Sequence, residues 1–140
     1  MKGIADTGFL VAFANRHDAH HAWAVGVAEQ IEPPLFTCES VLAESAFHLQ
    51  NTGIVLAMVG EGLVQVALDV ASELPQLMTL AKRYADRQPD LADLCVIRLS
   101  ELHPSRSVIT VDEADFRVYR RHKRDAIPLV VPPRARRRKA

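Results

Sequence analysis

One carboxylate inside an apolar helix constrains this chain more than any other feature. The stretch Pro89-Asp90-Leu91-Ala92-Asp93-Leu94-Cys95-Val96-Ile97-Arg98-Leu99 is almost entirely apolar after Asp93. It reads as a buried helix, with Asp90 as N-cap and Asp93 at the third helical position. An ionised Asp in low-dielectric surroundings costs several kcal/mol unless it is paired, hydrogen-bonded or bound to a metal. The sequence offers Asp93 no adjacent partner, so a metal shared with other acids is the expected answer.

A chain of 140 residues, 49% hydrophobic and 24% charged, fits one globular domain with an ordinary core. No apolar run approaches the roughly 20 residues of a membrane span. The start, Met1-Lys2-Gly3-Ile4-Ala5-Asp6, meets an acid too early for a secretory apolar region. The expectation is a cytoplasmic protein without membrane contact. Cys38 and Cys95 lack metal-type spacing and are expected as buried, reduced thiols. The formal net charge is +0, unevenly spread. Setting Arg134, Arg136, Arg137, Arg138 and Lys139 apart from the 17 basic residues leaves 12 against 17 acidic ones. An acidic body acting on a polyanion needs cations among its carboxylates, and a basic tail helps recruit such a substrate.

Short apolar runs alternate with longer periodic ones. Strands are predicted at Lys2–Ala5, Leu35–Thr37, Val64–Leu68, Ser107–Val111 and Ile127–Val131. Helices are predicted over Thr7–Ala14, after a cap at Asp18 as far as Ile31, and over Glu39–Gln50, Ile54–Glu61 and Glu73–Asp86. Another follows Asp90 and closes at His103-Pro104-Ser105, and a short one is predicted over Phe116–Arg121. Inward positions include Leu42, Ala46 and Leu49 in one helix, and Leu74, Leu77, Leu80, Ala81 and Tyr84 in another. Such alternation makes an α/β domain with a mainly parallel sheet.

Ligands of such sheets collect beyond the carboxyl ends of the strands. Asp6 ends the first strand and Asp112 follows the Ser107–Val111 strand. Asp93 lies in a first helical turn, and Glu44 stands about one turn into the helix after strand two. Four converging carboxylates stay ionised together only with cations among them. Hard oxygen donors suit Mg²⁺ or Mn²⁺, which can activate a water and steady a leaving oxygen in phosphodiester cleavage. Simpler readings stand beside this one. Asp6 can cap a helix, Glu44 can pair with His48, and Asp112 can close a turn. His17 and His21, four apart, raise a zinc reading that lacks further ligands at a familiar spacing, and His21 also fits a packing role. Trp23 fits core or dimer surface better than a base-stacking platform. The run Arg117, Arg120, Arg121, Lys123 and Arg124 is either an RNA contact or a solvated helix face.

Taken in order, Asp6-Thr7, Val41-Leu42-Ala43-Glu44, Asp90-Leu91-Ala92-Asp93 and Thr110-Val111-Asp112 resemble the spaced acidic motifs of PIN-domain ribonucleases, and most nearly those of VapC-type toxins of prokaryotic toxin–antitoxin pairs. Asp115-Phe116-Arg117-Val118-Tyr119-Arg120 resembles that family's final stretch. The resemblance runs from Asp6 to about Val131. It implies a three-layer α/β/α sandwich around a parallel sheet of four or five strands, with a nuclease domain over residues 1–131; the charge of residues 132–140 marks them as a basic, disordered tail. It further implies metal-dependent cleavage of RNA, a homodimer, and inhibition by an antitoxin whose chain covers the acidic pocket. The family's acidic positions carry over to Asp6, Glu44, Asp93 and Asp112. Asp6 and Asp93 would be the most direct ligands, Glu44 and Asp112 would complete the shell or orient the water, and Thr7 and Thr110 would support them. Asp90 and Asp115 are auxiliary candidates. A catalytically silent PIN-like module binding RNA or protein is the rival from another class. A haloacid-dehalogenase-like phosphotransferase wants a second Asp where Gly8 stands, and a nucleotide-binding loop of the Lys-Ser/Thr type is absent.

Overall fold

A computed structural model describes residues 1–134; the part of the basic tail over 135–140 lies outside the described residues. The chain runs β1 (Gly3–Ala5), α1 (Thr7–Ala14), α2 (His21–Ala28), β2 (Leu35–Thr37), α3 (Glu39–Leu49), α4 (Thr52–Gly60), β3 (Val64–Val66) and α5 (Leu74–Arg83). It continues through α6 (Leu91–Leu102), β4 (Ser107–Ile109), α7 (Glu113–Val118), β5 (Arg120–Arg121), β6 (Asp125–Ala126) and β7 (Leu129–Val130).

Five strands form one sheet in the order β3-β2-β1-β4-β7, and every neighbouring pair is parallel. Ile4 of β1 stands opposite Phe36 on one side and Val108 on the other. The helices flank this sheet in an α/β/α sandwich, as expected. β1 is the central strand. From it the chain winds outward through β2 and β3, then returns to the other side of β1 as β4 and β7. The winding therefore reverses between β1 and β4, where a crevice opens beyond the strand ends. Asp6 and Thr110, each the first residue after its strand, stand at that point.

The core explains why α6 is so apolar. Ala92, Leu94, Cys95, Val96, Ile97, Leu99 and Ser100 are all buried, too many for a one-sided stripe. Contacts of α6 with β1, β2, β4, α3 and α5 account for them. Each large apolar side chain enclosed there contributes roughly 1.5–3 kcal/mol from burial. Cys38 and Cys95 are buried free thiols, as expected.

Gly8 has a packing reason. A Cβ at this position would collide with the Val111 side chain. The missing side chain lets the first turn of α1 lie against the segment after β4, which draws Asp6 and Asp112 to the same place.

Three local expectations change. The helix predicted over Phe116–Arg121 runs instead from Glu113 to Val118, and the chain then turns into the antiparallel hairpin β5–β6. The cause is Arg121, which is buried. Its Nε donates to Ser100 Oγ at 2.6 Å, Nη1 to the Pro104 carbonyl at 2.9 Å and Nη2 to that of Arg106 at 3.1 Å. Arg121 therefore clamps the hairpin to the end of α6 and leaves the candidate RNA-binding run. Second, α2 begins at His21 because Asp18 Oδ1 caps the preceding turn, accepting from His20 N at 2.8 Å. Third, α3 buries Val41 and Ser45, with Leu42, Ala46 and Leu49 at the margin, while Leu74 and Ala81 of α5 face outward. Among the described residues no helix is long and apolar enough to cross a membrane.

Candidate functional site

A cleft of about 460 Å³ lies at the winding reversal. Asp6, Glu44, Asp90, Asp93 and Asp112 line it, together with Thr7, Gly8, Asp18, His20 and His48. All four acids singled out in the sequence thus share one cleft.

Each acid is held by a local device. Asp6 precedes α1, but its side chain makes no capping bond to that helix. Its Oδ2 instead accepts from Thr110 Oγ1 at 2.6 Å, and Thr110 Oγ1 in turn accepts from Asp112 N at 2.9 Å. One buried hydroxyl therefore ties the end of β1 to the segment after β4. Glu44 Oε2 accepts from Thr7 Oγ1 at 3.0 Å, so this carboxylate turns to α1 and not to His48. Asp112 does cap α7, accepting from Asp115 N at 3.1 Å. Asp90 caps α6 through Asp93 N at 2.9 Å, which leaves the Asp93 carboxylate free of capping duty.

Asp93 is half-buried at the cleft, and it does have a partner. Tyr119 donates its phenol hydrogen to Asp93 Oδ2 at 3.0 Å. Tyr119 is distant in sequence and sits in the segment already noted for its family likeness, the one signal pointing to it. Burial pushes the Asp93 carboxyl up to about 7, with Asp90 and Asp6 adding repulsion against the partial relief from Tyr119. Burial likewise raises Asp6, Glu44 and Asp112 above the ordinary carboxylate range, opposed by hydrogen bonds from Thr110, Thr7 and the Asp115 backbone respectively. Burial, then the Asp93 charge, raises the Tyr119 phenol. Four acids that all resist ionisation mark a place short of positive charge.

The donor set fits a hard divalent cation. Oxygens of Asp93, Asp112 and Asp115 all lie within 4.8 Å of one another. Mg²⁺ or Mn²⁺ takes oxygens at about 2.1 Å, so ligands on opposite sides stand about 4 Å apart. Among the described residues this is the one group of three or more such side chains gathered so closely. Asp115, an auxiliary candidate from sequence, is therefore one of this trio, while Asp6 and Glu44 line the cleft with Asp93 and Asp112. Asp115 Oδ1 also accepts from Arg87 Nη2 at 2.9 Å in an ion pair. Among the described residues no histidine joins a group of this kind, and His21 Nδ1 lies 2.8 Å from the Ala12 carbonyl, which fits the packing role. Trp23 packs edge-on against Phe9, with ring centroids 6.1 Å apart.

A search of curated proteins returns no match to the chain. The family model for the PIN domain matches residues 4–121, from the middle of β1 to the arginine that clamps the hairpin. That span takes in the whole acidic cleft, and members of the family are generally nucleases. With most of its length matched in this way, the chain belongs to the PIN-domain family.

Proposed function

We propose that this protein is a metal-dependent endoribonuclease that hydrolyses RNA phosphodiester bonds, with Mg²⁺ or Mn²⁺ as cofactor. The observation that carries this reading is the close approach of the Asp93, Asp112 and Asp115 oxygens, with Asp93 and Asp112 sharing a cleft with Asp6 and Glu44. Asp93 and Asp112, with Asp115, would hold the ion, and Asp6 and Glu44 would complete its surroundings. A bound divalent ion supplies charge neutralisation and Lewis acidity toward a phosphodiester.

The protein's own residues do the positioning. Thr110 fixes the Asp6 carboxylate and the Asp112 backbone at once, so these acids keep their spacing without reorganising when substrate arrives. Thr7 holds Glu44 in the cleft that Asp93 also lines, where its carboxylate would orient an attacking water. Tyr119 fixes the Asp93 rotamer and stabilises its charged form. Exposed Arg117, Lys123 and Arg124, together with the basic tail, would draw the RNA backbone toward an otherwise acidic body.

The likeness to VapC-type toxins extends the proposal. The protein would act in the cytoplasm as the toxin of a type II toxin–antitoxin system, as a homodimer, with an antitoxin chain covering the acidic cleft. The nuclease domain would span residues 1–131, with the tail beyond it. Exposed Phe47 on α3 and Leu56 on α4, at 78% and 63% of full exposure, support a partner on that face.

Incubation of the purified protein with single-stranded RNA tests the reading. Cleavage is expected with Mn²⁺ or Mg²⁺ and none in EDTA, with a DNA strand of the same sequence cut more slowly. RNA left intact under all metal conditions would favour the silent binding module instead.

A further inference from the structure

A second cavity, of about 300 Å³, lies between α5, α6 and the turn joining β5 to β6. It shares no lining residue with the acidic cleft. Arg83, Arg98, Glu101, His122 and Lys123 supply its titratable side chains. We propose that this cavity binds a phosphate group, with Arg83 and Lys123 as the cations that meet it.

The charges at the cavity are unequal in what they have left to offer. Arg98 is committed: its Nε donates to Glu73 Oε2 at 2.7 Å and its Nη1 to Glu101 Oε1 at 3.3 Å. Glu101 is committed in turn, since its Oε2 also accepts from His122 N at 2.7 Å. Thr79 donates its hydroxyl hydrogen to the Pro75 carbonyl at 3.0 Å. Arg83 differs. Its Nη1 is buried and, among the described residues, has no hydrogen-bond partner. The Tyr84 ring, 5.9 Å from the guanidinium carbon, offers that charge only a π-face. Among the described residues the Arg83 guanidinium has no ion pair, so its charge is left for an entering oxyanion to meet. Lys123 stands exposed on the hairpin turn, with no ion pair among the described residues.

A planar guanidinium fork and a mobile ammonium around a cavity larger than one anion suit phosphate, which offers both charge and several acceptor oxygens. The position is instructive. Tyr84 and Tyr119 stack edge-on with centroids 5.0 Å apart. Tyr119 donates to Asp93, and the Arg83 guanidinium lies by the Tyr84 ring. The aromatic pair thus touches one residue of the acidic cleft and one of this cavity. The phosphate could belong to the RNA backbone or to a small phosphorylated molecule, and the two sources are separable.

The test is calorimetric titration of the full chain with inorganic phosphate in EDTA, which removes metal-mediated binding at the acidic cleft. Saturable binding is expected, weakened at least ten-fold in Arg83→Gln and in Lys123→Gln, with the fold of each checked by circular dichroism. Lys123→Gln alters an exposed side chain and keeps the test valid should Arg83→Gln unfold. A cleavage-resistant 2′-O-methyl oligoribonucleotide then identifies the source. Weaker oligonucleotide binding in both variants assigns the site to the RNA backbone, whereas loss of phosphate binding alone assigns it to a small ligand. Absence of saturable phosphate binding, or binding that both variants leave unchanged, overturns the proposal. Equal competition by acetate also overturns it, because the site would then select carboxylates.

Discussion

Asp93→Asn is expected to lower metal-dependent RNA cleavage by about 100-fold or more while leaving the protein folded. An Asn is nearly the same size as Asp, and its carbonyl oxygen can still accept the Tyr119 hydroxyl that donates to Oδ2 at 3.0 Å. What the substitution removes is the negative charge beside Asp112 and Asp115, one of the three proposed to attract a divalent ion. Asp6→Asn is expected to act in the same direction by discharging the carboxylate that Thr110 fixes. Asp69→Asn is the control, since Asp69 is exposed and bonded to Ser72 at 2.6 Å, outside the cleft. Initial rates on a labelled oligoribonucleotide measure all three. Persistence of cleavage in both Asp6→Asn and Asp93→Asn, with intact folds, would move the active site elsewhere.

The second large effect concerns stability without metal. The Asp93 carboxyl titrates near 7 in the folded protein against an ordinary value of 3.8. A group raised in this way favours folding while protonated. Its contribution is full below the unfolded value and is lost as pH rises through the folded one. Metal-free protein is therefore expected to lose stability between about pH 4 and pH 8, with Asp6, Glu44 and Asp112 adding to the same slope. At pH 8, metal-free Asp93→Asn is expected to be more stable than the unaltered protein by about 1–2 kcal/mol, a figure reduced for the partial exposure of the site. The gap should be smaller at pH 5 and vanish only below about pH 4, where Asp93 of the unfolded chain is protonated as well. It should reverse with saturating Mn²⁺, because an ion at 100 times its dissociation constant adds about 2.7 kcal/mol to the form that binds it. Urea unfolding at pH 5 and pH 8, with EDTA or Mn²⁺, resolves these four conditions. A marked loss of stability in metal-free Asp93→Asn would instead make Asp93 a structural hydrogen-bonding residue.

Much of this account was legible in the sequence because it rests on short-range rules. Acids at strand ends and in first helical turns converge in any open parallel sheet. The apolar density after Asp93 announced the central helix. What stayed hidden depends on contacts between distant segments. Tyr119 reaches Asp93 only because α7 and β5 return across α6. Asp115 joins Asp93 and Asp112 because capping by Asp112 fixes the first turn of α7, so a residue readable as a helix cap also lies among the acids. Arg121 looked like one more surface cation, and its burial depends on carbonyls of Pro104 and Arg106 freed where α6 ends. The hairpin turn was equally hard to foresee. It places His122 and Lys123 at φ of +47° and +70°, a left-handed conformation that ordinarily signals itself through Gly or Asn. Nor did the sequence mark Arg83, whose orphaned nitrogen appears only once α5 is packed.

If the acidic cleft holds a divalent cation, calorimetric titration with Mn²⁺ at pH 7.5 shows it most directly. Saturable binding is predicted for the unaltered protein and for Asp69→Asn, with at least ten-fold weaker binding in Asp93→Asn and in Asp112→Asn. Absence of saturable binding to the folded protein, or equal affinity in the two cleft variants, would contradict it.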